Sequence, residues 1–185
     1  MKYQKSKIIF LNGPSSSGKT TLGRNIQNQI SEPFLYLSSD QLVESKVLPN
    51  LSEFENREEW KWKNIRPYFF DGFHSTIAAF ASTGNNMIVE HVLEKREWYE
   101  KCIELLKPFD VFYVGVFCPI QEMEKREQKR GDRFIGEGLS HLKEGVHNWG
   151  PYDLTIDTFQ YSALDAANKV IQAFQNRPKI TSFKK

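Results

Sequence analysis

At 185 residues, 39% hydrophobic and 14% aromatic, the chain holds enough apolar material for one well-buried core and too little length for two full domains. The 25 Lys+Arg and 23 Asp+Glu give +2, and Arg177, Lys179, Lys184 and Lys185 near the end outweigh that excess, so no basic face for nucleic acid or an anionic membrane is expected. Two cysteines in no metal-binding spacing, no leader-like apolar run after Met1 and no apolar stretch near the length of a bilayer span lead to the expectation of a soluble cytoplasmic protein without disulfides.

In chain order, the first apolar run, 7–11, reads as a strand. It opens onto Gly13-Pro14-Ser15-Ser16-Ser17-Gly18-Lys19-Thr20, a complete G-x-x-x-x-G-K-[ST] pattern. A helix follows, with Leu22, Ile26 and Ile30 on one face. The chemistry needs these residue types. The glycines let the backbone curl so that successive N–H groups converge on phosphates, and the helix aims its positive end at them. Lys19 is placed to reach the β- and γ-phosphates of ATP, Thr20 to ligate Mg²⁺, and Thr21 stands beside it at the same helix start.

The second strand, 34–37, leads to Asp40. In a parallel sheet ligands lie beyond the carboxyl ends of the strands, so Asp40 is a candidate proton acceptor for an attacking hydroxyl. The competing reading is that Ser39 or Asp40 caps a short helix from Gln41. Residues 44–63 show neither period cleanly and carry Phe54, Trp60 and Trp62 among charges. Phe70, Phe73, Ile77 and Phe80 form a helical stripe expected to start near Pro67 and stop at Gly84. A third strand, 86–91, delivers Glu90 and His91 toward Mg²⁺ or substrate, or else ends in a satisfied buried pair.

A helix over 96–106 and the clearest strand, 111–117, come next. The helix over 120–130 places Arg126 and Arg130 four residues apart, with Arg133 across Gly131-Asp132. Such arginines on a glycine-flanked segment suit closure over ATP and neutralisation of charge on a transferring phosphoryl group. Residues 131–138 are glycine-rich and charged, and a strand over 154–157 and a helix over 162–174 complete the alternation. The pattern predicts an α/β fold of three layers, the P-loop kinase fold, with a five-stranded parallel sheet and helices on both faces. One domain spans 1–185, with a short lid near 126–140 and an acceptor-binding segment near 40–66.

N-K-x-D and D-x-x-G, which mark GTPases, do not occur, and the chain lacks a transporter signature and the length of a helicase core. A compact kinase remains as the main reading, beside a nucleotide or nucleoside kinase and a non-catalytic ATP-binding module.

The chain resembles the chloramphenicol phosphotransferase-like family of P-loop kinases. The likeness rests on Ile8-Ile9-Phe10-Leu11-Asn12-Gly13 with the loop that follows, Ser39-Asp40-Gln41-Leu42, and Tyr113-Val114-Gly115-Val116 leading to Cys118. Arg126-Glu127 with Arg130-Gly131-Asp132-Arg133, and Val146-His147 with Tyr152-Asp153-Leu154-Thr155-Ile156-Asp157-Thr158, extend it. The resemblance implies ATP- and Mg²⁺-dependent phosphorylation of a small-molecule hydroxyl, with Asp40 at the position of the family's proposed base and Arg130 and Arg133 in its lid. The antibiotic-modifying member has two aspartates where this chain has Glu90-His91, and small residues where it has Phe54, Trp60 and Trp62. Four acids and three bases lie among those aromatics between Glu53 and Lys63. If they face the pocket, with Trp60 on the acceptor, the acceptor is polar or partly charged and chloramphenicol is a poor one.

Overall fold

The computed structural model describes residues 5–131, 134–178 and 181–184. Its strands are β1 (Lys7–Asn12), β2 (Leu35–Ser38), β3 (Met87–His91), β4 (Asp110–Phe117) and β5 (Leu154–Asp157). Its helices are α1 (Lys19–Gln29), α2 (Ser39–Glu44), α3 (Trp62–Ser82), α4 (Arg96–Leu106), α5 (Ile120–Arg130), α6 (Glu137–Lys143) and α7 (Ala163–Gln175). All four strand pairings are parallel, in the order β2-β3-β1-β4-β5.

Alternation along each strand sends side chains to opposite faces, and here both faces are covered, so the inner strands read as continuous apolar runs. Ile8 and Phe10 of β1 meet Phe73 and Ile77 of α3 and Trp98 and Cys102 of α4. Ile9 and Leu11 turn the other way, toward Leu22 and Ile26 of α1 and Val170 and Phe174 of α7. Fully burying each such side chain is worth about 1.5–3 kcal/mol. This is the three-layer α/β arrangement of the P-loop kinase fold.

Three differences from the sequence pattern have physical causes. Helix α3 begins at Trp62, five residues before Pro67. The proline removes one N–H near the helix start, and the turn ahead of it is tied down by Asn64 Nδ2 donating to Glu58 O at 2.6 Å and by Trp62 lying against Phe69 and Phe70. The glycine-rich stretch yields a helix, α6, because the Glu127 carboxylate, 1% exposed, accepts from Gly136 N at 2.7 Å and Gly138 N at 2.8 Å. Two otherwise orphaned donors at the helix start are thereby satisfied. Strand β1 runs one residue further, to Asn12. Its side chain accepts from Leu93 N at 2.9 Å and donates to Val146 O and Tyr152 Oη, both at 2.8 Å. This knot joins the end of β1 to the segments after β3 and α6. Because β1 lies between β3 and β4, the crevice at their carboxyl ends opens beside the loop that follows β1.

Candidate active site

The loop from Gly13 to Thr20 connects β1 to α1 and adopts the curled path its composition calls for. Gly18 has φ 91°, in the left-handed region. A Cβ on Gly13 would lie 2.3 Å from Val116 O, so the loop can hug β4 only with glycine there. Lys19 is 5% exposed and donates to Pro14 O at 2.8 Å. In the same loop Ser16 Oγ and Ser17 Oγ are buried with no hydrogen-bond partner among the described residues. Buried polar groups are rarely left so without reason, and hydroxyl donors in an N–H-rich cradle suit phosphate oxygens.

The loop floors a cavity of about 810 Å³. Ser15, Ser16, Gly18, Lys19, Thr20 and Thr21 line it, as do Asp40, Glu90, His91, Arg126 and Arg130 from other elements. Gly13, Pro14 and Ser17 shape the loop behind that surface. Arg133 lies outside the described residues. Trp60 is not brought to the cavity. It stacks on Phe54 at 4.8 Å between ring centroids, and Trp62 lines the wall instead.

The charged residues between Glu53 and Lys63 are all exposed and none lines the cavity. Glu58 pairs with Lys63 at 2.6 Å and with Lys61, on the outside. These charges therefore do not face the acceptor, contrary to the expectation from sequence: they are solvated, and the wall they precede is formed by Trp62, Phe69 and Phe70.

Asp40 is exposed, in the first turn of α2. It does not cap the helix, and neither does Ser39. Ser38 does so, accepting from Gln41 N at 3.2 Å while the Gln41 side chain accepts from Ser38 N at 3.0 Å. The capping explanation of Asp40 is thereby replaced.

Glu90, 8% exposed, accepts from Thr20 Oγ1 at 3.0 Å and from Tyr36 Oη. Burial, reinforced by the adjoining Glu90 carboxylate, pushes the Tyr36 phenol well up, so it stays a donor. A hydroxyl and a carboxylate side by side at the head of α1 are a donor set that fits a hard divalent cation such as Mg²⁺.

His91 turns inward, its Nε2 3.0 Å from His74 Nε2, among Phe70, Phe73 and Trp98. Burial holds His91 well below the usual imidazole value and lowers His74 to about 4. Unfolded, both imidazoles take up protons near pH 6.5, whereas the folded pair resists them. Stability from the pair is therefore present above about pH 6.5 and lost as pH falls toward 4, by an amount on the order of a few kcal/mol. The His74 ring in the folded protein is expected to stay neutral down to about pH 5 by its imidazole resonances, with urea-unfolding free energies falling over the same interval. A His74 ring titrating near 6.5 would contradict this.

Arg126 is braced rather than free to swing. Its Nε donates to Glu122 at 2.9 Å, and Nη1 donates to Thr158 Oγ1 at 3.1 Å and Ser16 O at 3.4 Å. Thr158 in turn donates to Ser17 O at 2.6 Å. Thr158, Tyr36, Glu94 and His141 are site residues that sequence reasoning missed. Thr158 alone carried a signal, as the end of the segment quoted for the family likeness.

A Lys-bearing phosphate cradle at the head of a parallel sheet, with a hydroxyl–carboxylate pair and arginines around one cavity, defines a kinase-like phosphotransferase of the P-loop fold. The model of the chloramphenicol phosphotransferase-like proteins matches residues 6–175, and the chain belongs to that family. A Mycobacterium tuberculosis protein that carries an O-phosphotransferase name is 27% identical over 194 residues, spanning 96% of this chain and 86% of that one. Shikimate kinase of Acinetobacter baumannii is 26% identical over 172 residues, covering 89% of each. Among solved structures, the M. tuberculosis APS kinase CysC with AMPPNP and APS superposes with a TM-score of 0.64 at 17% identity, covering 92% of this chain and 98% of that one. The A. baumannii shikimate kinase with shikimate gives 0.62 at 19%, covering 96% and 98%. At those identities the structures speak for the fold.

Proposed function

We propose that the protein transfers the γ-phosphate of ATP to a hydroxyl of a small molecule, in the cytoplasm, as one kinase domain with its lid near 126–140. The observation that carries this reading is a complete phosphate cradle and an exposed carboxylate, Asp40, on one cavity. Residues Gly13 to Thr21 hold the phosphates, braced by Arg126 and Thr158. Thr20 and Glu90 would hold Mg²⁺, which when bound supplies neutralisation of phosphate charge. Asp40 takes the proton of the acceptor hydroxyl as its oxygen forms the new bond to phosphorus and the bond to the ADP oxygen breaks. Arg130 and Arg133 balance charge on the transferring group. Trp62, Phe69 and Phe70 give the acceptor an apolar wall, so chloramphenicol stands on equal terms with polar candidates.

Calorimetry of the folded protein with ATP and Mg²⁺ is expected to show saturable binding, and a panel of chloramphenicol, sugars, aminoglycosides and nucleosides to include one that drives ADP release. No ATP binding would overturn the reading. Transfer confined to nucleoside monophosphates would make the protein a nucleotide kinase, and ATP binding with no acceptor-dependent ADP release across the panel would favour a regulatory module.

A further inference from the structure

The cradle is held from above as well as from its own helix. His141 of α6 accepts from Ser15 N through Nδ1 at 3.0 Å. Three residues earlier on the same helix, Gly138 approaches so closely that a Cβ would lie 2.8 Å from Ser15 O. Both polar groups of the Ser15 backbone are thus covered by α6, which the buried Glu127 carboxylate fixes at its start.

The other ring nitrogen of His141, Nε2, lies 3.7 Å from Glu94 Oε1. That distance is too long for a hydrogen bond, yet it puts a carboxylate opposite Nε2 and so favours the proton there. Glu94 Oε2 accepts from Arg66, whose guanidinium lies 5.3 Å above the Phe70 ring and 4.8 Å above Trp98. Ser15, His141, Glu94 and Arg66 all line the one cavity.

We infer that His141 is a positioning residue for the phosphate cradle: as the neutral Nε2–H tautomer selected by Glu94, it fixes the direction of the Ser15 peptide before nucleotide arrives. The inference rests on the reading of this loop as an ATP site. An imidazole nitrogen without a proton can accept from a backbone N–H, whereas the Nδ1–H tautomer or the imidazolium would set donor against donor. Burial lowers the His141 value from that of a free imidazole, in keeping with a neutral ring. Organising the peptide in advance spares ATP the cost of ordering it, which is the general route by which rigid sites gain affinity.

Two measurements test this. The ¹⁵N resonances of His141 in the full-length protein at neutral pH are expected to show an unprotonated Nδ1 and a protonated Nε2. A protonated Nδ1 would overturn the inference whether or not ATP binds. Calorimetry with ATP and Mg²⁺ then compares the wild type with two variants. His141→Phe keeps a flat ring but leaves Ser15 N without its acceptor, and is expected to bind about tenfold more weakly. His141→Asn places Oδ1 where Nδ1 stood and is expected to remain within about threefold of wild type. Equal losses in both variants, at retained fold by circular dichroism, would reduce His141 to packing, and wild-type affinity in His141→Phe would remove its role. Failure of the wild type to bind ATP would instead bring down the kinase reading, while the resonances still decide the tautomer.

Discussion

Asp40→Asn is expected to lower turnover by about 10²–10⁴ while the melting temperature holds, since that is the usual contribution of a general base and the amide cannot take a proton. The separation of chemistry from stability is sharper here than at most helix starts. Ser38 and Gln41 close the capping box without Asp40, so the substitution breaks none of those bonds. At the helix start it weakens the attraction of one carboxylate to the first turn of α2, about 0.3–1 kcal/mol. Ser38→Ala is the mirror experiment: it should cost about 1 kcal/mol through the lost cap, with a smaller effect on rate. Rates come from ADP release with an acceptor identified in the panel, and stability from thermal unfolding. Full turnover in Asp40→Asn would reassign Asp40 to the surface of α2.

Lys19→Met carries the second large effect. The side chain is 5% exposed and bonded to Pro14 O, so methionine, unbranched and of similar length, fills the space its stem occupied. Loss of the bond to Pro14 O costs about 1 kcal/mol of stability. Catalysis loses more. A preorganised charged donor aimed at a transferring phosphate is comparable to an oxyanion-hole donor, whose removal costs about 10²–10³ in kcat. Circular dichroism separates the two consequences, because a folded variant with near-normal kcat would show that the ammonium serves the loop and not the reaction.

The sheet and the cradle were legible because their causes are local. An apolar run bounded by turn residues makes β1, β3 and β4 wherever both faces are covered, and the G-x-x-x-x-G-K-T spacing encodes its own backbone path. What escaped depends on partners far away in the chain. Helix α6 needs Glu127, and nothing in a charge-dense helix marks one glutamate as buried. Trp60 and Trp62 stand two residues apart on an irregular path, and only their packing, one on Phe54 and one on Phe69 and Phe70, decides which faces the cavity. The start of α3 was misplaced because proline near a helix start reads as its first residue, while tertiary contacts extended the helix beyond it. His141 meets Ser15 across 126 positions, a pairing no period or motif announces.

Each of the chain's 4 histidines is shifted toward neutrality, with burial the leading cause: His74, His91, His141 and His147. The side chains that most often buffer a protein near pH 7 are therefore biased toward the neutral form here. His91 and His141, which line the cavity, thereby add less positive charge to it on modest acidification than free imidazoles would. Under the proposed kinase reading, the acceptor's proton goes to Asp40, an exposed carboxylate on the cavity, rather than to these imidazoles.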